Sequence, residues 1–398
     1  MEAPTFWNSI KEETRNNYIA VFEQDWPAWL AGIFIAVLAL LIFLWQGPWG
    51  IAGGYRNWGD WVYYLAGLTG KRPVSPWLNT MSVSNFGLFA GALASALMSR
   101  QFKIRRAPGI EYLKGLAGGI FMGAGAALAG GCNVGGFYTA IGMFSMGGYA
   151  MMFGLGAGAY VGLRYLLWEM EHLTPKMAAA KPVGASRKST LDWDKIQPYI
   201  GGSIIVAEIS VFYLYSASGK TQVGGLLFFG ILIGLVMHRS RFCFVRAFRC
   251  PFMTGDAEMV RVVAMSLMIY GLGSAVIKWS YIQPDTMGVH HPFWLGSLLG
   301  GLIFGVGMML AGGCASSTLW RIGEGHTKLV VTLVAFALTN PLVLNMLKSS
   351  GLDGKLGEGV FMPAVFTWYL GLPLFLGFLL FWALLAIWNE KTEKFVIF

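Results

Sequence analysis

The sequence predicts an all-α membrane protein with about nine or ten transmembrane helices plus short re-entrant helices, built as two pseudo-symmetric, inverted halves. Three observations predict it: scarce charge, apolar runs of bilayer length, and a glycine-rich segment that occurs twice. Of 398 residues, 12% are charged and 56% hydrophobic. Soluble domains carry about 25% charged residues, so this chain lacks the polar surface that water requires. A span needs roughly 20 apolar residues. Runs near that length fall at 28–45, 82–98, 112–131, 147–168, 197–216, 222–237, 255–278, 293–313, 326–348 and 364–388. Several are short or glycine-broken, which predicts segments that enter the bilayer and return.

Residues 1–25 are polar and mixed in charge, predicting an amphipathic surface segment with Trp7, Ile10 and Phe22 on its apolar side. No small-residue cleavage site follows the first apolar run, so that run is expected to remain as a helix. Residues 26–168 form a first transmembrane half, 169–195 a polar linker, and 196–390 a second half. Arg100, Lys103, Arg105 and Arg106 make one basic loop; Lys176, Lys181, Arg187, Lys188 and Lys195 make the linker basic. Positive charge collects in cytoplasmic loops, which places both stretches, and with ten crossings both termini, in the cytoplasm. The same rule accounts for most of the net charge of +9, although a basic protein also attracts anions. Trp and Tyr between Trp45 and Tyr64 are expected to form an interfacial aromatic belt.

The halves are related. Residues 118–132 read GGIFMGAGAALAGGC and residues 300–314 read GGLIFGVGMMLAGGC, with nine of fifteen positions identical at an offset of 182. The segment count sends these two stretches across the membrane in opposite directions. Inverted repeats of this kind hold substrate near the midplane where the halves meet.

Four cysteines are present: Cys132, Cys243, Cys250 and Cys314. None forms a C-x-x-C pair, so neither zinc nor iron–sulfur ligation is indicated. On one helix Cys243 and Cys250 would stand about 10.5 Å apart, beyond the roughly 7 Å reach of a disulfide. A membrane cysteine is commonly a small buried hydrophobe. Cys132 and Cys314 differ because each ends its repeat after a glycine pair, Gly130-Gly131 and Gly312-Gly313, and opens a more polar stretch. Consecutive glycines let a helix stop inside the bilayer, and freed backbone at that depth must be buried or line a cavity. A short helix starting there aims partly positive amide groups inward and makes an anion site. Asn133, Thr139, Ser316, Ser317 and Thr318 are candidate hydrogen-bond donors beside it.

The second constellation is HRSRFCFVRAFRCPFMTGD, residues 238–256, with Arg239, Arg241, Arg246 and Arg249 around Cys243. Arginine keeps its charge, so these residues suggest a cytoplasmic cap or a basic mouth, with Arg241 and Arg246 as candidate anion contacts. Arg321, Glu324 and His326 read as an interfacial charged patch.

The paired LAGGC segments and the RFCFVRAFR stretch resemble the YeeE/YedE family of bacterial sulfur-transport membrane proteins, over most of the chain from about Ser84 onward. The resemblance implies an all-helical permease of the inner membrane that takes up thiosulfate or a related small sulfur-containing anion. It also implies that three cysteines, carried over as Cys132, Cys243 and Cys314, pass the substrate along by its terminal sulfur. No cofactor, metal or nucleic acid is expected, and no Walker motif suggests a pump driven by ATP. A cytoplasmic sulfur-carrier or sulfurtransferase protein is the open question of partnership. The competing reading is a membrane sulfurtransferase or redox protein that forms a cysteine persulfide.

Overall fold

The computed structural model describes residues 6–173 and 193–397, so most of the expected linker at 169–195 lies outside the described residues. Its helices, in chain order, are α1 (Phe6–Tyr18), α2 (Ala28–Trp45), α3 (Ala52–Leu65), α4 (Thr80–Met98), α5 (Gly109–Leu128), α6 (Ala140–Gly142), α7 (Met146–Leu173), α8 (Trp193–Ala217), α9 (Thr221–Ser240), α10 (Phe244–Met253), α11 (Glu258–Trp279), α12 (Leu295–Ala311), α13 (Ala315–Gly323), α14 (Thr327–Ser349) and α15 (Met362–Thr392). A π-helical stretch, Asn133–Thr139, runs straight into α6. Among the described residues nine helices are long and apolar enough to cross a membrane, or ten if α5 and the bent helix after it count as one span. Ten long helices thus stand where the ten apolar runs predict them.

Glycine contacts fix the directions of these helices. A Cβ on Gly118 would sit 2.6 Å from the Gly307 carbonyl, and one on Gly125 would sit 2.5 Å from that of Gly300, so α5 and α12 run antiparallel, backbone on backbone. Gly119 and Gly123 face Thr332 and Phe336, so α14 runs parallel to α5; Gly154 and Gly158 face Leu298 and Leu302, so α7 runs parallel to α12. By the same reading α4 is parallel to α9, through Gly87 and Gly91, and α2 is parallel to α11, through Gly32 and Gly273. Each contact between halves therefore has a mirror: α2 on α11 with α9 on α4, and α5 on α14 with α12 on α7. The repeated units are α2–α7 and α9–α14, inverted relative to one another. Helices α8 and α15 stand outside the repeat.

Within the bundle four short helical stretches do not span: α3, the Asn133–Gly142 stretch, α10 and α13. The first corrects a sequence expectation. Of the aromatic belt expected between Trp45 and Tyr64, Trp45 is 43% exposed, but Tyr55 sits in an inserted helix, 1% exposed, with Asn57 and Gly59 buried beside it. Aromatic density there reflects packing within the protein: Tyr55 stacks edge-on against Phe336, and Trp58 lies on Phe86.

Small residues at helix crossings permit this close backbone approach. Gly118→Val and Gly125→Val are expected to destabilise the protein by about 1–3 kcal/mol each, the usual cost of overpacking. Gly156→Ala, whose Cβ meets nothing within 4 Å, should be neutral or slightly stabilising. Thermal unfolding in detergent followed by tryptophan fluorescence checks both; equal midpoints for all three variants would contradict the packing.

Candidate functional site

The site follows from how the four short helices begin. In each repeat the long helix ends in a left-handed glycine, Gly130 with φ +69° and Gly312 with φ +73°, a turn that side chains resist. The chain then extends through Gly131-Cys132 and Gly313-Cys314 and starts a new helix. Cys132 is the N-cap of the Asn133–Gly142 stretch, Cys314 that of α13 and Cys243 that of α10. The fourth N-cap, on α3, is Ile51.

A helix N-terminus leaves amide groups without intrahelical partners, and here cysteine sulfurs stand beside them. Around Cys314 the arrangement is a capping box: its sulfur accepts from the Ser317 N–H, and Ser317 Oγ accepts from the Cys314 N–H at 2.7 Å. Ser316 Oγ lies 3.4 Å and Ser317 Oγ 3.2 Å from the same sulfur. The Cys243 sulfur faces the Arg246 N–H and the Ser317 hydroxyl, and its thiol is within hydrogen-bonding reach of Cys314. The Cys132 sulfur faces three amides, Val134 and Gly135 of its own helix and Ala52 of α3. Tyr55 neighbours both Cys132 and Cys314, and its hydroxyl donates to the Ala315 carbonyl at 2.9 Å. That bond ties α3 to the first residue of α13. The structure therefore brings Cys132, Cys243 and Cys314 together on the inside; Cys132 and Cys314 are each 0% exposed.

Polar side chains beside these caps fall into two groups. Thr139 Oγ1 donates to the Trp49 carbonyl and Asn85 Nδ2 to the Ile51 carbonyl, holding the loop before α3. By contrast, Asn133 is fully buried and neither atom of its amide has a protein partner; Thr318 Oγ1, Trp49 Nε1 and Asn85 Oδ1 are unpartnered as well. Buried polar groups are normally satisfied. Asn133 and Thr318, each on a short helix that begins at a cysteine, thus leave polar atoms free for a polar guest.

Several charged candidates sit elsewhere than expected. The Arg246 guanidinium faces Asp256 and Glu258 at 3.7 and 3.3 Å rather than the thiols; only its backbone N–H turns toward Cys243. Arg239, read as part of a surface cap, is completely buried, bonded to the Gln24 carbonyl and 3.6 Å from Asp25. Arg241 pairs with Glu324, and the patch expected at the interface is anchored by that glutamate, 2% exposed. Sequence reading missed Tyr55 and Asn85. Their only signal is one of position, since both belong to the first repeat ahead of the duplicated motif. Cys250 is half-buried beside Arg246, apart from the other three.

Comparison with known proteins agrees with this architecture. The sulphur-transport family profile matches residues 2–161 and 239–397, a match in each half. The chain is 28% identical over 292 residues to the probable transporter YedE of Escherichia coli (strain K12), covering 70% of each chain. It is 32% identical over 127 residues to the thiosulfate transporter TsuA of the same organism, covering 32% of this chain and 35% of that one. Against the TsuA of Spirochaeta thermophila it is 35% identical over 104 residues, 25% of this chain and 30% of that one. With both repeats matched, this multi-pass membrane protein belongs to the sulphur-transport family.

Proposed function

We propose that the protein is an inner-membrane permease for thiosulfate or a related small sulfur-containing anion, which moves along Cys132, Cys243 and Cys314 and the short-helix N-termini they cap. The observation that carries the reading is the gathering of the three thiols at helix starts, with Cys243 beside Cys314 and Tyr55 beside both Cys132 and Cys314. The names of the TsuA relatives support the substrate class.

Thiosulfate is a dianion whose terminal sulfur is large and polarisable. A neutral thiol offers that sulfur a weak S–H donor, and amide groups at the helix starts offset the negative charge. Each contact alone is weak. Passage requires sites that bind loosely and lie close enough to hand the ion on, which three thiols satisfy better than one deep anion trap.

The cytoplasmic face is the one carrying Arg100, Lys103, Arg105 and Arg106 after α4 and Arg239 and Arg241 at the end of α9. The start of α2 and the end of α15 lie on that same side, which supports cytoplasmic termini. A cytoplasmic sulfur carrier or sulfurtransferase is the class of partner that would take up the released sulfur species.

Labelled thiosulfate uptake into proteoliposomes, with sulfate as control ion, tests the reading. Cys132→Ser, Cys243→Ser and Cys314→Ser are each expected to lower uptake at least about tenfold, a loss of roughly 1.4 kcal/mol at the limiting step, with unfolding midpoints nearly unchanged. Cys250→Ser should transport normally. Wild-type rates in the Cys314→Ser variant would overturn the path, and a stable gain of one sulfur atom at any cysteine after thiosulfate treatment would replace permeation with covalent sulfur transfer.

The burial of the thiols gives a second expectation. In protein treated with a membrane-permeant maleimide, peptide mass spectrometry should find Cys250 modified first. Cys132, Cys243 and Cys314 should react much more slowly, and thiosulfate should slow them further. Equal labelling of all four cysteines would contradict the enclosed arrangement.

A further inference from the structure

The most highly coordinated carboxylate among the described residues belongs to Glu324, at the C-terminal end of α13 and ten residues beyond Cys314. Arg241 Nη1 donates to its Oε1 and Arg105 Nη1 to its Oε2, the latter at 3.0 Å. His238 Nε2 lies 3.4 Å from Oε1 and His326 Nε2 3.5 Å from Oε2. Gln101 Oε1 accepts the second Arg241 bond at 2.7 Å, and the Glu324 and Gly325 carbonyls accept from the Lys103 and Arg105 N–H groups. The cluster thereby joins the loop after α4, the end of α9 and the end of α13.

Arg241 carries the mechanical consequence. It ends α9 in the left-handed region, φ +56°, unfavourable for a residue with a side chain. Two residues later Cys243 starts α10. Glu324 thus holds the turn that delivers Cys243 to Cys314.

The charges do not balance. Two guanidinium groups face one carboxylate, leaving surplus positive charge even with both imidazoles neutral. The cations are also the accessible part: the Arg105 and Arg241 side chains are 39% and 33% exposed, whereas Glu324 lies behind them. Beneath them, Trp320 has the Arg241 and Arg321 guanidinium groups 5.8 and 5.9 Å from its ring centre. Its buried indole N–H has no acceptor. These are the features of an oxyanion site whose present occupant is the protein's own carboxylate.

We propose that Glu324 is a tethered counter-ion that latches the inner end of the path, and that the permeant anion leaving Cys243 and Cys314 displaces it from Arg241 and Arg105. This rests on the permease reading. A sulfonate end presents the same forked oxygens to arginine that a carboxylate does, so the exchange breaks and makes equivalent bonds. Once the anion departs to the cytoplasm, the tethered carboxylate returns and the latch closes behind it. Burial opposes ionisation of Glu324, but the neighbouring His238, His326 and Arg241 side chains outweigh it and hold the group well below the usual carboxylate range. With its folded value depressed, its contribution is complete above the ordinary value near about 4.3 and is lost only as pH falls toward the folded one. The latch is therefore charged throughout the neutral range.

Glu324→Gln removes the competing charge and keeps the shape. In purified protein, calorimetric titration should show thiosulfate bound at least about tenfold tighter, because a tether closed most of the time lowers apparent affinity by the open fraction. Uptake by the same variant should show a lower KM and a lower kcat, since release is slowed; Glu324→Asp should restore turnover in part. Unchanged or weaker binding by a folded Gln variant overturns the latch. Should that variant fail to fold, hydrogen exchange on the wild type decides: thiosulfate is expected to speed amide exchange across residues 238–246 and 318–327, and no change there is equally fatal. A wild type that takes up no thiosulfate sinks the permease reading itself, whereas normal uptake with unaltered binding in the Gln variant sinks the latch alone.

Discussion

Backbone amides cannot be left bare inside a bilayer, and that constraint organises the structure. An unsatisfied N–H in hydrocarbon costs several kcal/mol, so a helix that begins within the membrane requires an acceptor at its first turn. Among the described residues four helical stretches begin inside the bundle, and three of them have a cysteine at the N-cap. Sulfur is a weak acceptor. Serine or aspartate would cap such ends more firmly, and a firm cap would compete with any passing anion for the same amides. A cysteine at the N-cap is a weak, polarisable neighbour that leaves those amides open to a better acceptor.

Duplication supplies the scaffold, and membrane topology then makes the two copies unequal. The Gly118–Gly307 and Gly125–Gly300 contacts place α5 and α12 antiparallel about the pseudo-axis. Beyond them the chemistry diverges. The end of α12 is capped by cations, with Arg321 on the Gly312 carbonyl at 2.7 Å and Lys328 on that of Leu310 at 2.9 Å. At the position matching Arg321, 182 residues earlier, stands Thr139, a neutral side chain bound to the Trp49 carbonyl. Cations gather on the face with the basic loops, as the positive-inside rule requires. The short helix of the second repeat consequently ends among arginines that its counterpart in the first repeat lacks, and a pseudo-symmetric molecule acquires a direction.

The fold was largely legible because bilayer thickness and apolar length are linked directly. All ten long helices follow apolar runs in the sequence, and the repeat was visible because LAGGC recurs in register. The short helix α3 was not, since its apolar and polar residues alternate as they would at a membrane surface: Tyr55 and Gly59 are buried while Arg56 is exposed. Only the tertiary contact with Ala337 and Pro341 on α14 reveals that Gly59 lies inside. The cysteines stood out by motif. The Glu324 cluster did not, because its members come from positions 101, 105, 238, 241, 324 and 326, and no local pattern joins residues that meet only after folding. Proximity in sequence made Arg246 attractive, yet helix geometry turns its side chain toward Asp256 and Glu258.

The exception among the four caps explains how the two repeats are joined. Ile51 has no side-chain acceptor to offer the first turn of α3, and its carbonyl is held by Asn85. The amide of Ala52 lies near the sulfur of Cys132, as do those of Val134 and Gly135, so one thiol stands beside the starts of two helices. With isoleucine at position 51, α3 starts beside Cys132 and reaches Ala315 through Tyr55 within the next turn, so a helix that begins at the thiol of one repeat is bonded to the short helix of the other. That bond links the surroundings of Cys132 to those of Cys314 across the two halves.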